Sequence, residues 1–186
     1  EQAGLEADDL IASAVSQMSA EENNLLIVSS DKDLSQLVSP NTKQLLPPPT
    51  ANPKLGWRLL DEAGVKDKFG VSPCGILDYL SIIGDQSDNI PGLPGVGPKT
   101  ALKWMSEYGD LESIIENAGR LAPKRFCSLV YEMRADLLRN RELVRLESDL
   151  DLDMSDCPSV NREEIKEILL ELEMNKSWEE SCRRYS

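Results

Sequence analysis

The spacing of apolar residues in the first part of the chain predicts one helix and two strands. From residue 5 to about residue 18, apolar positions recur every three or four residues, which is typical of an amphipathic helix. The unbroken apolar run Leu25–Val28 predicts a strand that is buried on both faces. A second strand is predicted at residues 43–46, and the three prolines after it would end it because proline has no amide hydrogen to donate. This alternation of helix and strand predicts an α/β fold.

The rest of the chain is predicted to be mainly helical. Helices are expected at residues 55–63, ending at Gly64, and from Pro73 to residue 83, because glycine often follows a helix and proline fits its first position. Pro98 predicts the start of another helix, which Gly109 ends. Further helices are expected at residues 111–117, 123–143 and 162–173. We therefore expect an α/β part in residues 1–72, a helical region in residues 73–145 and an acidic C-terminal segment with helices in residues 146–186.

Two features of the composition restrict the chemistry of this protein. The chain contains no histidine, which excludes Ser–His and Cys–His nucleophilic sites and histidine-based metal sites within it. Its four cysteines, Cys74, Cys127, Cys157 and Cys182, are far apart, and this spacing favours reduced thiols in the cytoplasm over disulfides or a zinc site. No apolar run approaches the roughly 20 residues that span a bilayer, so we expect no membrane partner.

The net charge of −13 is unevenly distributed along the chain. Residues 1–90 carry 14 acidic and 6 basic side chains, residues 91–145 carry 7 and 9, and residues 146–186 carry 12 and 5. Only the middle segment is therefore net positive and suited to phosphate by charge alone. In the first segment, bound cations would reverse the local field of the acidic residues.

Acidic residues gather in three groups. Glu6, Asp8 and Asp9 lie in the first turn of the opening helix, Asp31 and Asp33 follow the first predicted strand, and Asp85 and Asp88 follow an apolar helix. Taken singly, the groups also fit a solvated helix cap, an acidic turn and a polar loop. Together they favour a site for hard divalent cations such as Mg²⁺ or Mn²⁺, which prefer oxygen ligands. Two such cations about 3.5–4 Å apart can act on a phosphodiester without any histidine.

A stretch rich in glycine and proline, residues 91–100, separates two predicted helices. Its glycines allow the backbone to approach another molecule closely, and Pro98 at the first helical position would leave the following amides free to meet an anion. Lys99 and Lys103 are four residues apart and share a helix face. This pattern favours a grip on DNA phosphates without base reading, and a tight structural turn with solvated lysines is the alternative.

In their order and spacing, these motifs resemble the bacterial 5′ nucleases, which include the 5′–3′ exonuclease domain of DNA polymerase I and the flap endonucleases. The resemblance rests on Glu6-Ala7-Asp8-Asp9, Asp31-Lys32-Asp33, residues 84–92 and residues 95–101, and it continues to the region of Leu143. It implies a PIN-like, partly parallel α/β nuclease core followed by a helical helix-hairpin-helix (helix–three-turn–helix) DNA-binding domain.

The resemblance also implies roles for individual residues. Glu6, Asp8 and Asp9 would serve one metal, while Asp31, Asp33, Asp85 and Asp88 would serve a second or bridge the two; all the aspartates among them would be catalytic. Duplex DNA would be held through its backbone by Gly95, Gly97, Lys99, Thr100 and Lys103. The hairpin is also expected to bind K⁺.

As a whole, the resemblance implies a 5′–3′ exonuclease and flap endonuclease of replication and repair. Its partner would be DNA with 5′ flaps, nicks or branches, and a polymerase domain would act in cis or in trans. Family members carry a further N-terminal segment with a strand, additional site aspartates and a basic arch, so this chain is expected to be an incomplete nuclease. A non-catalytic duplex-DNA-binding module is the alternative, and the hairpin disfavours an RNA-directed nuclease.

One tryptophan, three arginines and three aspartates outside these motifs are also considered as site residues. Trp104, beside the hairpin, is expected to pack between helices rather than to stack on bases. Arg139, Arg141 and Arg145 fit either phosphate contacts or a solvated helix face. The alternating acids Asp149, Asp151 and Asp153 predict a solvated edge rather than a further metal site.

Overall fold

A computed structural model describes residues 4–19, 23–153 and 161–184. By their internal contacts the residues divide into two compact units, Glu1–Leu152 and Asp153–Ser186. The division of the first unit near residue 72, expected from the sequence, stays a prediction.

The first unit begins with a helix and a small mixed sheet. Helix α1 (Ala7–Ser19) precedes strands β1 (Leu25–Val28), β2 (Thr42–Leu46) and β3 (Arg58–Leu60), which form a sheet in the order β1-β2-β3. β1 and β2 are parallel, and β3 runs antiparallel to β2. The predicted helix and both predicted strands are thus confirmed.

The prediction that β1 is buried on both faces is wrong. Leu26 and Val28 are 54% and 59% exposed, whereas Ile27 between them is buried. Alternate side chains of a strand point to opposite faces of the sheet, so one face of β1 packs inward and the other stays open in the described part of the chain. An apolar run alone does not distinguish these arrangements.

The predicted helix at residues 55–63 is also wrong. A short 3-10 turn (Pro53–Leu55) leads instead through Gly56 into β3, and helix α2 (Glu62–Phe69) begins only after it. The Asp61 carboxylate accepts a hydrogen bond of 2.8 Å from the Gly64 amide and so caps the start of α2. Gly64 therefore lies inside the helix, and Gly70, at φ +83°, ends it.

The rest of this unit is helical, as predicted. A 3-10 turn (Pro73–Gly75) precedes α3 (Ile76–Ile83), a four-residue turn joins the short strands β4 (Gly84–Asp85) and β5 (Ile90–Pro91) into a hairpin, and α4 spans Pro98–Tyr108. Helix α5 covers Leu111–Glu116. The single helix expected at residues 123–143 is instead a 3-10 turn followed by α6 (Cys127–Glu132) and α7 (Arg134–Val144), because the chain leaves helical geometry at Met133.

One apolar core joins the sheet to the helices. Trp104 is fully buried in it; its Nε1–H donates to the Ala122 carbonyl at 2.8 Å, and its ring meets Phe126 edge-on at 5.7 Å. The packing role predicted for Trp104 is confirmed. Leu46 of β2 belongs to the same core as Ile76, Ile82 and Leu111 of the helices.

The second unit contains helices α8 (Arg162–Glu171) and α9 (Asn175–Arg184), the latter not predicted. Asn161 caps α8 by accepting from the Glu164 amide at 3.2 Å. Upstream of this unit's helices, Asp149 and Asp151 are exposed, as expected. Cys74, Cys127 and Cys182 are free thiols, while Cys157 lies outside the described residues. Within the described ranges, no helix is both long and apolar enough to cross a membrane.

Candidate metal centre

The second acidic group forms a tight turn at the end of β1. The Asp33 amide donates to the Asp31 Oδ1 at 3.0 Å, and the Asp31 amide donates to the Ser29 hydroxyl at 3.1 Å. Such side-chain-to-backbone bonds two residues apart are what allow aspartate and serine to replace strand pairing with a turn. Asp33 then begins a 3-10 turn (Asp33–Leu37), so both carboxylates lie at the carboxyl edge of the sheet, as predicted.

The side chain of Gln44 in β2 stabilises the backbone of this turn. Its side-chain amide is fully buried; Nε2 donates to the carbonyl oxygens of Ser29, at 3.1 Å, and of Asp31. Its Oε1 accepts from the Ser35 hydroxyl at 2.7 Å. Every polar atom of the amide is thus used, which orients the group uniquely. Gln44 was not identified from the sequence, although a glutamine within an apolar strand is a detectable signal.

The third group lies on the β4–β5 hairpin. Asp85 is buried, and its Oδ1 accepts from the Ser87 amide at 2.9 Å and from the Ser87 hydroxyl at 2.6 Å. The Lys32 ammonium forms an ion pair with the other Asp85 oxygen and donates to the Ser87 hydroxyl at 2.8 Å. The second and third acidic groups are therefore joined directly through Lys32, which lies between the two aspartates of the second group.

The ends of this hairpin are fixed by close backbone packing. A Cβ on Gly84, which adopts φ +78°, would lie 2.2 Å from the Gly92 amide nitrogen, so no larger residue fits there. Asn140 of α7, which is buried, donates from Nδ2 to the carbonyls of Pro91 at 2.7 Å and Ser81 at 3.3 Å. Nothing in the sequence around Asn140 indicated this contact.

Three carboxylates from two segments converge at this edge. Asp33, Asp85 and Asp88 each offer an oxygen, and these oxygens lie within 4.8 Å of one another. The Asp33 Oδ1 is buried and has no hydrogen-bond partner among the residues that the structure describes. A buried, unpartnered carboxylate oxygen beside two further carboxylates is costly in the absence of a cation. The all-oxygen donor set fits a hard divalent ion such as Mg²⁺ or Mn²⁺.

The first acidic group faces the same space. A cavity of about 590 Å³ is lined by six of the seven predicted carboxylates, namely Glu6, Asp8, Asp9, Asp31, Asp33 and Asp88. Asp85 adjoins this cavity through Asp33 and Asp88. One oxygen of Asp9 is already engaged, because Oδ1 accepts from the Glu147 amide at 2.9 Å. Residues 142–147 thus close one side of the cavity, a contact that no local motif indicated.

The pKa values of the carboxylates follow from this crowding. Burial and the neighbouring acids outweigh the attraction of Lys32 and raise the pKa of Asp33 to about 6. Burial, together with Asp31, raises the pKa of Asp8, and burial with the Asp85 carboxylate raises that of Asp88. For Asp85, burial acts upward, but the hydrogen bonds from Lys32 and Ser87 outweigh it and lower the pKa to about 2.

The predicted DNA-binding hairpin precedes α4. Gly95 adopts φ +73°, and a Cβ added at Gly97 would meet open space. Lys99 and Lys103 are exposed and have no carboxylate partner in the described part of the chain. The expectation that the amides after Pro98 are free is wrong for Thr100, whose amide donates to the Gly97 carbonyl at 3.0 Å. The K⁺ site stays a prediction.

The arginines of α7 and its end are engaged in ion pairs. The Arg141 Nε lies 2.9 Å from the Asp78 Oδ1, and its guanidinium also pairs with Glu112. Arg139 pairs with Asp136 at 2.9 Å, and Arg145 pairs with Glu142 at 3.3 Å. The pairing of Arg141 with buried Asp78 ties α7 to α3, a structural role that was neither of the two weighed for it. For Arg139 and Arg145 both roles stay predictions.

Comparison with protein families identifies matches along nearly the whole chain. Residues 1–70 match the family model described as "5'-3' exonuclease, N-terminal resolvase-like domain", and residues 71–167 match "5'-3' exonuclease, C-terminal SAM fold". The boundary between the two matches lies between α2 and α3.

Similar proteins include a DNA polymerase I and a separate exonuclease. The DNA polymerase I of Rhizobium leguminosarum is 40% identical over 153 residues, which are 81% of this chain and 14% of that protein. The 5′–3′ exonuclease of Aquifex aeolicus is 37% identical over 177 residues, 92% of this chain and 57% of that protein. A bacteriophage T5 flap endonuclease, solved in complex with DNA and metal ions, shares the fold with a TM-score of 0.66 at 22% identity, covering 77% of this chain and 51% of that one.

Proposed function

The chain belongs to the 5′–3′ exonuclease family, and on that premise we propose that it forms part of a divalent-metal-dependent nuclease that cleaves DNA at 5′ ends and 5′ flaps. The observation that carries the proposal is the convergence of Asp33, Asp85 and Asp88, with the buried and unpartnered Asp33 Oδ1 among them. A protein that only binds DNA gains nothing from carboxylates that repel phosphate.

The chain spans 14% of the polymerase and just over half of the exonuclease that it resembles. The activity, substrates and partners of a complete family member are therefore assigned to this protein only by proposal. Two observations support them. The exonuclease relative matches across 92% of this chain, and the structural neighbour was solved with both DNA and metal ions.

The proposed metal ligands come from three segments of the fold. Asp33, Asp85 and Asp88 would hold one divalent cation, and Asp8, Asp9 and Glu6 would hold or approach a second across the same cavity, with Asp31 between them. Bound divalent cations would supply an activated water and neutralise charge on the oxygens of the phosphodiester. Such ions suit this chain because its donor set is entirely oxygen and contains no histidine.

The remaining residues of the site hold the ligands in place. Gln44 fixes the backbone of the Asp31 turn, and Asn140 fixes the base of the β4–β5 hairpin. The Lys32 ammonium compensates the Asp85 carboxylate within the acidic cluster. Since each of these groups is already oriented by the fold, little reorganisation is needed when a cation and substrate arrive.

Residues 91–100, which lead into α4 and are called the α4 hairpin below, would hold duplex DNA at a distance from the acidic site. The exposed Lys99 and Lys103 would contact phosphates, and Gly95, Gly97 and Thr100 would allow close approach of the backbone. The proposed substrate is DNA with a 5′ flap, nick or branch, in the bacterial cytoplasm. The polymerase relatives support a polymerase domain as a partner in cis, and the Aquifex exonuclease supports one in trans.

Cleavage of a 5′-labelled flap duplex, with Mg²⁺ and with EDTA, tests this proposal. The chain and the full-length product of its gene should be assayed side by side, together with Asp85→Asn/Asp88→Asn versions of both. We expect metal-dependent cleavage that the double substitution abolishes. If both proteins bind the flap and neither cuts it, the non-catalytic DNA-binding module is the correct function.

A further inference from the structure

Two basic side chains lie at the same end of the sheet as the acidic site. Arg58, at the start of β3, and Lys68, in the last turn of α2, line a cavity of about 440 Å³. Ser30 and Thr50 lie at this cavity, and its apolar lining consists of Leu46 and the three prolines that follow. It therefore combines two positive charges and hydroxyl groups with an apolar surface.

The strand register gives the backbone separation of Arg58 from Ser29, the residue that follows β1 and precedes the acidic turn. Arg58 is paired with Leu46, and the Ser29 amide donates to the Leu45 carbonyl at 3.2 Å, so Ser29, Leu46 and Arg58 lie in one row across the sheet. Two strand spacings amount to roughly 10 Å. Arg58 therefore stands at the same end of the sheet as the acidic turn that follows Ser29.

Neither cation has a carboxylate partner in the described part of the chain, although the chain carries a net charge of −13. Lys68 instead lies with its ammonium 4.6 Å from the centre of the Phe69 ring. Burial and the neighbouring Arg58 lower the pKa of Lys68, while Asp31 acts in the opposite direction. Two like charges are thus placed close together, within electrostatic reach of the acidic cluster, and an anion between them would relieve their repulsion.

We propose that Arg58 and Lys68 bind a backbone phosphate of the substrate DNA, at the same end of the sheet as the metal centre. The guanidinium suits bidentate contact with phosphate oxygens, and the Lys68 ammonium adds a point charge. The Ser30 hydroxyl is placed to donate to the same phosphate, and the apolar lining of Leu46 and the prolines receives the adjoining sugar. This inference rests on the proposed function, because it assumes that DNA reaches the acidic site.

The test is the affinity of the chain for a fluorescently labelled 5′-flap DNA in EDTA, measured by anisotropy at several salt concentrations. Arg58→Glu/Lys68→Glu is compared with Lys54→Glu/Lys66→Glu, which makes the same change in charge on nearby exposed residues outside the cavity. We expect on the order of a tenfold loss of affinity for the first pair, with a salt slope that is lower by about 0.7 to 0.9 for the one phosphate proposed, and a much smaller loss for the control.

A neutral variant, Arg58→Gln/Lys68→Gln, controls for misfolding, because it removes the charges and retains polar side chains of moderate length. It should lose affinity in the same direction with an unchanged thermal midpoint. Equal losses for the two charge-reversed pairs, or no loss for the first, would overturn the phosphate site while the proposed function stands. If the unaltered chain does not bind the flap at all, the proposed function fails together with this inference.

Discussion

The Lys32 ammonium and the Asp85 carboxylate form an ion pair that joins two of the acidic segments. Lys32 follows β1, whereas Asp85 lies in β4 on the hairpin after α3. Asp85 is 4% exposed, so a charge at this position requires a partner. Lys32 is that partner, and an oxygen of each of Asp33 and Asp88 lies within 4.8 Å of the other and of Asp85.

Removing the carboxylates of the β4–β5 hairpin should abolish metal binding at the site formed with Asp33, while leaving DNA binding largely intact. In Asp85→Asn/Asp88→Asn, two of the three converging carboxylates lose their charge, but residues 91–100 are unaltered. Titration with Mn²⁺, followed by calorimetry, should show saturable binding to the unaltered chain and the loss of this site in the variant. Unchanged Mn²⁺ affinity would remove these residues from the metal site. A matched control is Asp149→Asn/Asp151→Asn, which makes the same charge change at exposed acids outside the cavity.

Stability should depend on pH through Asp33. Its pKa is raised from 3.8 to about 6 in the folded chain, so between these values the folded state binds more protons than the unfolded state. The free energy of unfolding contributed by this group therefore falls as the pH rises from about 4 to about 6. In EDTA, Asp33→Asn should match the thermal midpoint of the unaltered chain near pH 4 and exceed it above pH 6.

Bound metal should reverse the order of the thermal midpoints of the unaltered chain and Asp33→Asn. Saturating Mn²⁺ at pH 7 is expected to raise the midpoint of the unaltered chain, because the ion binds only the folded state, and to raise that of Asp33→Asn much less. A midpoint difference in EDTA that does not change between pH 4 and pH 7 would show that Asp33 is not protonated in the folded chain. Asp85, whose pKa is lowered to about 2, acts in the opposite direction: its stabilising contribution is complete above about pH 4 and is lost as the pH falls from about 4 to about 2.

Replacing Gln44 by Met should weaken metal binding more than its effect on stability explains. The substitution keeps the volume but removes both donors to the Asp31 turn, so we expect a roughly 10–100-fold loss in Mn²⁺ affinity, as for groups that orient metal ligands. Hydrogen exchange of the Asp33 amide, which donates to Asp31, should also accelerate in the metal-free protein. Val130→Ala, a buried substitution in α6, serves as the control for a general loss of stability. If both variants lose affinity equally, Gln44 has only a structural role.

The α4 hairpin should account for part of the affinity for duplex DNA. In Lys99→Ala/Lys103→Ala two exposed cations are lost, so duplex binding should weaken and its logarithmic salt slope should fall by about 1.8. The measurement is a filter-binding or anisotropy titration at several salt concentrations. Lys54→Ala/Lys66→Ala is the comparison of equal charge. A slope that is the same in all three proteins would mean that the hairpin does not grip the duplex.

Features governed by neighbouring residues could be read directly from the sequence. Pro98 and Gly109 bound α4 as predicted, since proline fixes the first turn and glycine accepts the strained geometry that follows the last. The acidic residues and the lysines of the hairpin were identified by their spacing. Trp104 was correctly assigned to packing.

Features that depend on residues far apart in the chain could not be predicted from the sequence. The helix predicted at residues 55–63 is instead β3, because β2 offers a pairing edge that local propensity does not represent. Gln44 and Asn140 stabilise the ligand-bearing loops through bonds to backbone atoms remote in sequence. The contact of Asp9 with the Glu147 amide likewise joins segments that lie far apart along the chain.

The sequence by itself determined which side chains the chemistry can use: carboxylates without histidine, a stretch rich in glycine and proline with two lysines beside it, and the order in which they occur. These follow from residue type and short-range spacing. Only the tertiary structure decided that Asp33, Asp85 and Asp88 face one point, that Lys32 compensates Asp85 and that Arg58 stands with Lys68 at the same edge. The physical reason is that strand register and helix packing bring these groups together, and both are set by contacts between residues far apart in the chain.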